Sequence, residues 1–156
     1  NFYNNHYLNF LSIETIYKLI EEEYEPSFDI KSNEHYLEML NLLREGAKTV
    51  LDLIDQIRFF YETPEYEDKS KELINLNIDI IKSFSSRIKD LDFKNLQNLE
   101  SDIKDYLTSN NLKFPQLGKP LRLILSGREN APSISQLLFF LGEQESSRRI
   151  NLFLNI

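Results

Sequence analysis

Apolar residues recur at helical spacing along almost the whole chain. An apolar side chain returns every three to four positions, which places it on one face of an α-helix. The first example follows Ser12, a residue type that caps helix N-termini. Its apolar face consists of Ile13, Ile16, Leu19 and Ile20. The sequence has no Asn-Gly or Asp-Gly pair, the dipeptides that join β-strands in tight hairpins. The pattern therefore predicts an all-α protein.

Capping residues predict where the next helices begin and end. Asn33 is expected to open the second helix and Gly46 to end it. Thr49 and the acidic residue three positions later form a near capping box for the third helix. Two longer patterns predict helices at about 70–91 and 94–109.

The last part of the chain predicts three shorter helices, at about 116–126, 134–141 and 144–154. Gly127 and Gly142 stand at the ends of the first two, where glycine can adopt a positive φ. Ser133, directly after a proline, is suited to cap the helix that follows. The whole pattern predicts about eight helices.

The segment YETPEYED at 61–68 is the best candidate for a linker. It combines Pro64 with four acidic residues, and it interrupts the helical pattern. We therefore expect two small helical subdomains, residues 1–65 and residues 66–156.

Charge is distributed unevenly over the 156 residues. The chain has 18 Lys/Arg and 25 Asp/Glu, a net charge of −7. This argues against coating of generic nucleic acid, because non-specific affinity grows with the number of phosphates neutralised. Residues 113–156, however, hold six basic and only three acidic residues, a local balance of +3. A basic face is therefore expected only at the C-terminal end.

Composition also narrows the class of protein. The sequence has no cysteine, so disulfides, thiolate metal sites and thiol nucleophiles are excluded. The apolar runs are too short to cross a bilayer, and no signal-like start is present, so we expect a cytoplasmic protein without a membrane partner. The chain begins at Asn1 in the middle of a pattern, which suggests a piece of a longer protein.

Motifs for enzymatic chemistry are absent. The sequence has no GxGxxG, GxxxxGK[ST], HExxH or GxSxG motif, so no catalytic residue is predicted. His6 and His35 lack companions at metal-ligand spacing, and the acid-rich run at 21–25 is typical of a solvated helix face. No metal site is predicted either. The aromatic pairs at 59–60 and 139–140 lie on apolar stripes typical of a core.

One segment retains candidate binding chemistry: LGKPLRLILSGRENAPSISQLLFFLGEQESSRRI at 117–150. Arg122 follows Pro120 on a predicted helix, and the turn GRENAPS places Arg128 beside the N-terminus of the next helix. Guanidinium groups and free backbone N–H groups near one loop suit a phosphate or a base edge. The alternative is a compact three-helix unit whose arginines only keep the surface soluble, and the residues by themselves leave both interpretations open.

The same segment resembles the C-terminal signature of bacterial glutamyl-tRNA synthetases. That signature runs approximately PLR-x-A-[LV]-[TS]-G, then a short loop, a proline, a helix, Leu-Gly and an arginine pair. Two earlier stretches are similar to the family in the right order, NNHYL at 4–8 and LLREGAKTVLDL at 42–53. The resemblance covers nearly the whole chain, strongly after residue 113 and loosely between 62 and 112. It implies the anticodon-binding region of a class I aminoacyl-tRNA synthetase, an all-α cage of two helical subdomains.

The activity that the resemblance implies belongs to a longer parent enzyme. The parent would use ATP and Mg²⁺ to attach glutamate to tRNA(Glu), through a Rossmann-type catalytic domain that is absent here. The HIGH and KMSKS motifs of the family are also absent from this sequence. The region is therefore expected to have no catalytic activity and no cofactor of its own, to be monomeric, and to select the tRNA.

The resemblance also implies binding residues in the second subdomain. Arg122 would contact a base edge or a phosphate, and the loop and helix start after it would cradle a splayed base. Family members often have threonine where this chain has Ala131, so one hydroxyl contact is expected to be missing. The full set implied here is Lys119, Arg122, Arg128, Ala131, Pro132 and Ile134.

In the first subdomain the resemblance implies Arg44, Gly46 and Lys48 as further tRNA contacts. Relatives often have an arginine before x-Lys-Thr, where this chain has Gly46. In the family, an arginine in this subdomain helps to reject the glutamine anticodon. The departure at Gly46 therefore predicts a parent that also charges tRNA(Gln).

A second class of function stays open at this point. The apolar and aromatic helix faces would also suit a helical protein-interaction module with no RNA role. Binding of an anticodon stem-loop distinguishes the two, because only the RNA-binding function predicts a salt-dependent complex.

Overall fold

A computed structural model describes residues 8–155, and every regular element among them is helical. The stretch NNHYL therefore lies outside the described residues except for Leu8, as does His6. Eight α-helices have both ends within this range. They are α1 (Ile13–Leu19), α2 (Tyr36–Arg44), α3 (Val50–Ile57), α4 (Asp68–Leu76), α5 (Ile78–Arg87), α6 (Leu96–Ser109), α7 (Phe114–Ser126) and α8 (Ile134–Leu154). The prediction of an all-α fold with about eight helices is confirmed.

The chain divides into two compact units, Asn1–Glu62 and Thr63–Ile156. This boundary falls three residues before the one expected at 65/66. The segment after Glu62 is tied to the second unit, because the Tyr66 hydroxyl donates to the Ile124 carbonyl oxygen at 2.6 Å. The Tyr66 ring also meets that of Phe153 edge-on, with the centroids 5.3 Å apart.

In the first unit, α1 begins as its sequence predicts. The Ser12 hydroxyl accepts a hydrogen bond from the Thr15 N–H at 3.2 Å. The helix then widens into a π-helical turn, Ile20–Tyr24, which ends at Glu25 with a positive φ of 39°. The buried apolar residues of this unit include Leu8, Ile16, Ile20, Ile30, Met39, Leu40, Leu53 and Ile57.

The start of α2 differs from the prediction. Asn33 does not cap it; its side-chain oxygen accepts from the His35 N–H at 2.8 Å and forms a local turn, so the helix begins at Tyr36. Gly46 follows the end of this helix as expected, and its N–H donates to the Leu43 carbonyl oxygen at 3.3 Å. The Thr49 cap of α3 is confirmed, because its hydroxyl accepts from the N–H three residues later.

In the second unit, the single helix predicted at 70–91 is wrong. Asn77 interrupts it with φ −117° and ψ 22°, and separates α4 from α5. The Asn77 side-chain amide donates to the Leu73 carbonyl oxygen at 3.1 Å, so it competes with the helical ladder. A 3₁₀ turn, Ile88–Asp90, follows α5.

The last two helices form the core of this unit. α8 spans the two helices predicted at 134–141 and 144–154, with a kink at Gly142 (φ 83°, ψ 168°). Gly127 ends α7 with φ 74°, so the positive φ expected at both glycines is confirmed. The fully buried side chains of these helices include Leu117, Leu121, Ile124, Leu125, Ile134, Leu137, Leu138 and Ile150.

Candidate nucleic-acid interface

The candidate interface is built on α7. The helix starts where the Lys113 N–H donates to the Gln116 side-chain oxygen at 2.8 Å. Lys119 and Arg122 lie three residues apart, so they occupy one side of the helix. They line a pocket of about 210 Å³. The remaining residues around this pocket are Leu73, Leu123 and Glu129. Two cations and one carboxylate therefore surround a small concave surface that also has apolar walls.

Arg122 connects α7 to the loop before α8. Its side chain is half-buried, and its Nε donates to the Pro132 carbonyl oxygen at 3.3 Å. The two terminal nitrogens make no hydrogen bond with residues 8–155. The guanidinium is thus held at one nitrogen, and the paired donors of its outer edge are available to an acceptor such as a base edge or a phosphate.

The loop after α7 turns sharply at Gly127. Its N–H donates to the Leu123 carbonyl oxygen at 2.7 Å, and its positive φ favours glycine. A Cβ at this position would lie 2.9 Å from the Cβ of Pro64. The backbone of Arg128 is fixed next to this turn, because its N–H donates to the Ser126 hydroxyl at 3.1 Å.

The loop ends at the N-terminus of α8. The Ser133 hydroxyl accepts from the Gln136 N–H at 3.3 Å, and the Gln136 side chain accepts from the Ser133 N–H at 3.2 Å. This reciprocal pair forms the expected cap. Ala131 and Pro132 are half-buried, whereas the side chain of Ile134 is fully buried. Any contact of Ile134 with a ligand would therefore come from its backbone N–H at the start of the helix.

The structure brings six of the predicted residues to one region of the second unit: Lys119, Arg122, Arg128, Ala131, Pro132 and Ile134. The binding residues predicted from the sequence did not include two neighbours, Ser126, which stands at the Ser/Thr position of the signature, and Glu129. Ser126 lies one helical turn after Arg122, and that spacing was the available signal. Glu129 could not be assigned to the pocket, because its position depends on how the loop folds.

The other three predicted residues lie in the first unit. Arg44 is half-buried, and its Nη1 donates to the Leu11 carbonyl oxygen at 2.7 Å. Lys48 is exposed. Gly46 is exposed too, and a Cβ placed on it would have no atom within 4 Å. Arg44 therefore has a clear structural contact, whereas a side chain at Gly46 would extend into open space.

The arginine pair near the C-terminus shares one carboxylate but differs in exposure. Arg149 is only 1% exposed, and donates from Nε to Glu145 at 2.9 Å and from Nη1 to the Leu125 carbonyl oxygen at 2.7 Å. Arg148 is 49% exposed and bonds Glu145 and the Thr63 hydroxyl. The hydrogen bond from Arg148, with that from Arg149, lowers the pKa of Glu145 below its ordinary value. Arg149 therefore joins α8 to α7 in the core.

Residues 8–155 contain neither a metal-binding cluster nor a membrane-spanning helix. No group of three or more His, Asp or Glu side chains in that range could hold a metal ion. No helix there combines the length and apolar character needed to cross a membrane.

Residues 8–155 form helices with a basic surface on α7 and the loop after it, an arrangement that suits a binding domain. The sequence profile of the family described as "Anticodon binding domain" matches residues 13–154. The chain therefore belongs to the anticodon-binding domain family, and the interaction-module alternative has no support.

The relatives are glutamate–tRNA ligases. One from Nitrosomonas europaea is 28% identical over 150 residues, which cover 94% of this chain and 32% of the relative. A glutamate–tRNA ligase 2 from Caldicellulosiruptor saccharolyticus is 29% identical over 153 residues, which cover 94% of this chain and 32% of that relative. The chain thus spans about a third of the length of these relatives.

Two solved structures with a similar fold are also glutamate–tRNA ligases, like the sequence relatives. A glutamate tRNA ligase from Elizabethkingia meningosepticum, in complex with its amino acid, superposes with a TM-score of 0.81 and 25% identity, over 98% of this chain and 31% of that one. A glutamate–tRNA synthetase from Elizabethkingia anophelis superposes with a TM-score of 0.76 and 25% identity, over 99% of this chain and 30% of that one. The fold is therefore that of the anticodon-binding part of these enzymes.

Proposed function

We propose that this chain recognises the anticodon loop of tRNA(Glu), with the surface formed by α7, the loop 127–133 and the start of α8 as the contact. The observation that carries the proposal is the position of Arg122, which lines the pocket and keeps its terminal nitrogens free of hydrogen bonds with residues 8–155. Single-stranded RNA loops are read by splaying out bases and bonding their edges, and this needs only a local basic surface.

Each part of this surface has a separate role. The outer edge of Arg122 offers two parallel donors to a base edge. Lys119, exposed on the same side of α7, attracts the neighbouring phosphates. Ala131 and Pro132 provide apolar contact, and the first N–H groups of α8 favour an anionic or acceptor group. Arg128 adds positive charge at the other end of the loop.

The proposed function belongs to a longer enzyme that works in translation in the cytoplasm. The relatives carry the name glutamate–tRNA ligase and are about three times as long as this chain. In such a parent, ATP and Mg²⁺ would be used by the remaining part to attach glutamate, and this region would select the tRNA. We expect the region itself to be monomeric, which light scattering of the purified chain measures directly.

Replacement of Arg122 tests the proposal. We expect Arg122→Ala to weaken binding of the tRNA(Glu) anticodon stem-loop by about 1–3 kcal/mol, because one bidentate base contact is lost. The measurement is fluorescence anisotropy at several salt concentrations. Arg87→Ala is the matched control, since it removes an exposed arginine from α5. Equal affinities of the Arg122 and Arg87 variants would contradict the assignment of Arg122.

The proposal extends to a second tRNA through Gly46. If this position stands where relatives use an arginine against the glutamine anticodon, the parent also charges tRNA(Gln). The test charges both purified tRNAs with the full-length parent. A preference for tRNA(Glu) above about a hundredfold, roughly 2.7 kcal/mol, would exclude this extension. Gly46→Arg is expected to increase that preference, and no atom within 4 Å obstructs the start of the new side chain.

A further inference from the structure

Ser126 is a buried serine whose hydroxyl contacts the backbone on both sides of the turn after α7. It is the last residue of α7 and only 3% exposed. Its hydroxyl oxygen lies 2.7 Å from the Arg122 carbonyl oxygen and 3.1 Å from the Arg128 carbonyl oxygen. The same oxygen accepts the Arg128 N–H at 3.1 Å. The single hydroxyl proton has the Arg122 carbonyl oxygen as its nearer acceptor, so the contact that holds Arg128 against the end of the helix is its N–H donating to the buried Ser126 oxygen.

The other end of the same loop is held from the same side of α7. Arg122 precedes Ser126 by one helical turn, so the two side chains lie on adjacent turns of one helix face. Arg122 donates to the Pro132 carbonyl oxygen. The segment 128–132 is thus attached at its first residue through Ser126 and at its last through Arg122, with the Gly127 turn directing its path.

We propose that Ser126 is a positioning residue for anticodon recognition: it fixes the backbone of Arg128 and, together with Arg122, pre-organises the segment 128–132 before RNA binds. The inference rests on the proposed function. A loop ordered in advance loses less conformational entropy on binding, so the gain appears as affinity without any contact between Ser126 and the RNA.

The free protein tests the first half of this proposal. In the whole chain, Ser126→Ala is expected to speed hydrogen exchange of the Arg128 amide at least tenfold, because that N–H loses its acceptor. Ser126→Thr keeps the hydroxyl and is expected to restore the slow exchange. An unchanged Arg128 exchange rate in Ser126→Ala would overturn the proposal without involving RNA.

Binding of the tRNA(Glu) anticodon stem-loop tests the second half. Ser126→Ala is expected to bind about tenfold more weakly, with the slope of log affinity against log salt unchanged, since no charge is lost. Lys119→Ala, by contrast, is expected to lower that slope by about one. Ser126→Thr should bind like the unchanged chain. A role confined to the overall stability of the fold would instead speed exchange of the slow amides of the whole second unit, and not that of Arg128 alone.

Ser146→Ala is the matched control for loss of a buried serine hydroxyl. Ser146 lies in α8 after the Gly142 kink, is fully buried, and its hydroxyl has no hydrogen-bond partner among residues 8–155. Its replacement is expected to leave both Arg128 exchange and RNA affinity unchanged. Equal affinities of the Ser126→Ala and Ser146→Ala chains would overturn the role of Ser126 and leave the proposed function standing. No binding by the unchanged chain, at concentrations where a relative's stem-loop complex forms, would overturn the proposed function and this inference with it.

Discussion

Replacement of Arg149 by methionine should destabilise the second unit much more than the same replacement of its neighbour. Arg149 is 1% exposed, and its hydrogen bonds include one to the Glu145 carboxylate and one to the Leu125 carbonyl oxygen. Burial lowers the pKa of its guanidinium, and the hydrogen bond to Glu145 opposes that shift. The side chain is therefore a buried cation whose partners lie on two helices.

The expected magnitude follows from these contacts. A hydrogen bond to a charged group contributes about 1.5–3 kcal/mol, so two such bonds give roughly 3–6 kcal/mol. The cost of about 3–5 kcal/mol for breaking a buried ion pair does not apply in full, because the Glu145 carboxylate that remains is 32% exposed. Because Arg148 still bonds Glu145 after the change, the carboxylate keeps one partner. We expect Arg149→Met to reduce the free energy of unfolding by about 3–4 kcal/mol.

Arg148→Met provides the comparison, because the two arginines share Glu145 but Arg148 is 49% exposed. Exposed ion pairs contribute about 0–1 kcal/mol, so the loss should stay in that range. The assay is urea unfolding followed by amide signals of α7 and α8, since two compact units can unfold separately. Equal losses for the two variants, or a loss below about 1 kcal/mol for Arg149→Met, would refute the reasoning.

Two further predictions concern the segment that docks on the second unit. Gly127→Ala should lower the unfolding free energy by about 2 kcal/mol or more, because its φ is +74° and the new Cβ would lie 2.9 Å from Pro64. Gly46→Ala has open space and no positive φ, so its loss should stay within about 0.5 kcal/mol. Urea unfolding followed by the amide signals of each unit measures both losses. Burial raises the pKa of Tyr66 to about 12 from 10, and the charge of Arg149 opposes the shift. The neutral Tyr66 side chain therefore stabilises the fold fully below pH 10, and this stabilisation is lost as the pH rises through 12. The stability difference between the unchanged chain and Tyr66→Phe should therefore narrow over that interval in alkaline unfolding, and a constant difference would contradict the raised pKa.

Local signals predicted much of the fold because they act within one turn of the chain. The hydroxyls of Ser12, Thr49 and Ser133 cap the helices that they precede, and the two glycines with positive φ lie where the helical pattern stops. Asn77 was missed, because one asparagine in a long apolar pattern is an acceptable helix residue until its side chain bonds the backbone. The π-helical turn at Ile20–Tyr24 has no comparable signal in the residues.

The binding surface was predictable as a segment but not as a set of roles. The arginines, the loop and the following helix start could be placed on one stretch of sequence. The partner of Arg149 is a carbonyl 24 residues away, and that of Arg44 is 33 residues away, so only the folded chain could show which arginines are structural. Burial of Ile134 likewise depends on how two helices pack. The contacts of Ser126 with Arg128 depend on the path of the loop after Gly127.

Anticodon recognition by this surface is tested most directly by locating the residues whose amide signals change when RNA binds. Backbone amide shifts of the whole chain are measured during titration with the tRNA(Glu) anticodon stem-loop, and with the same stem carrying an unrelated loop. We expect the shifts specific to the tRNA(Glu) loop to concentrate at 119–134, with the Arg128 and Ile134 amides among them. Specific shifts confined to other helices, with 119–134 unchanged, would contradict recognition of the anticodon by this surface.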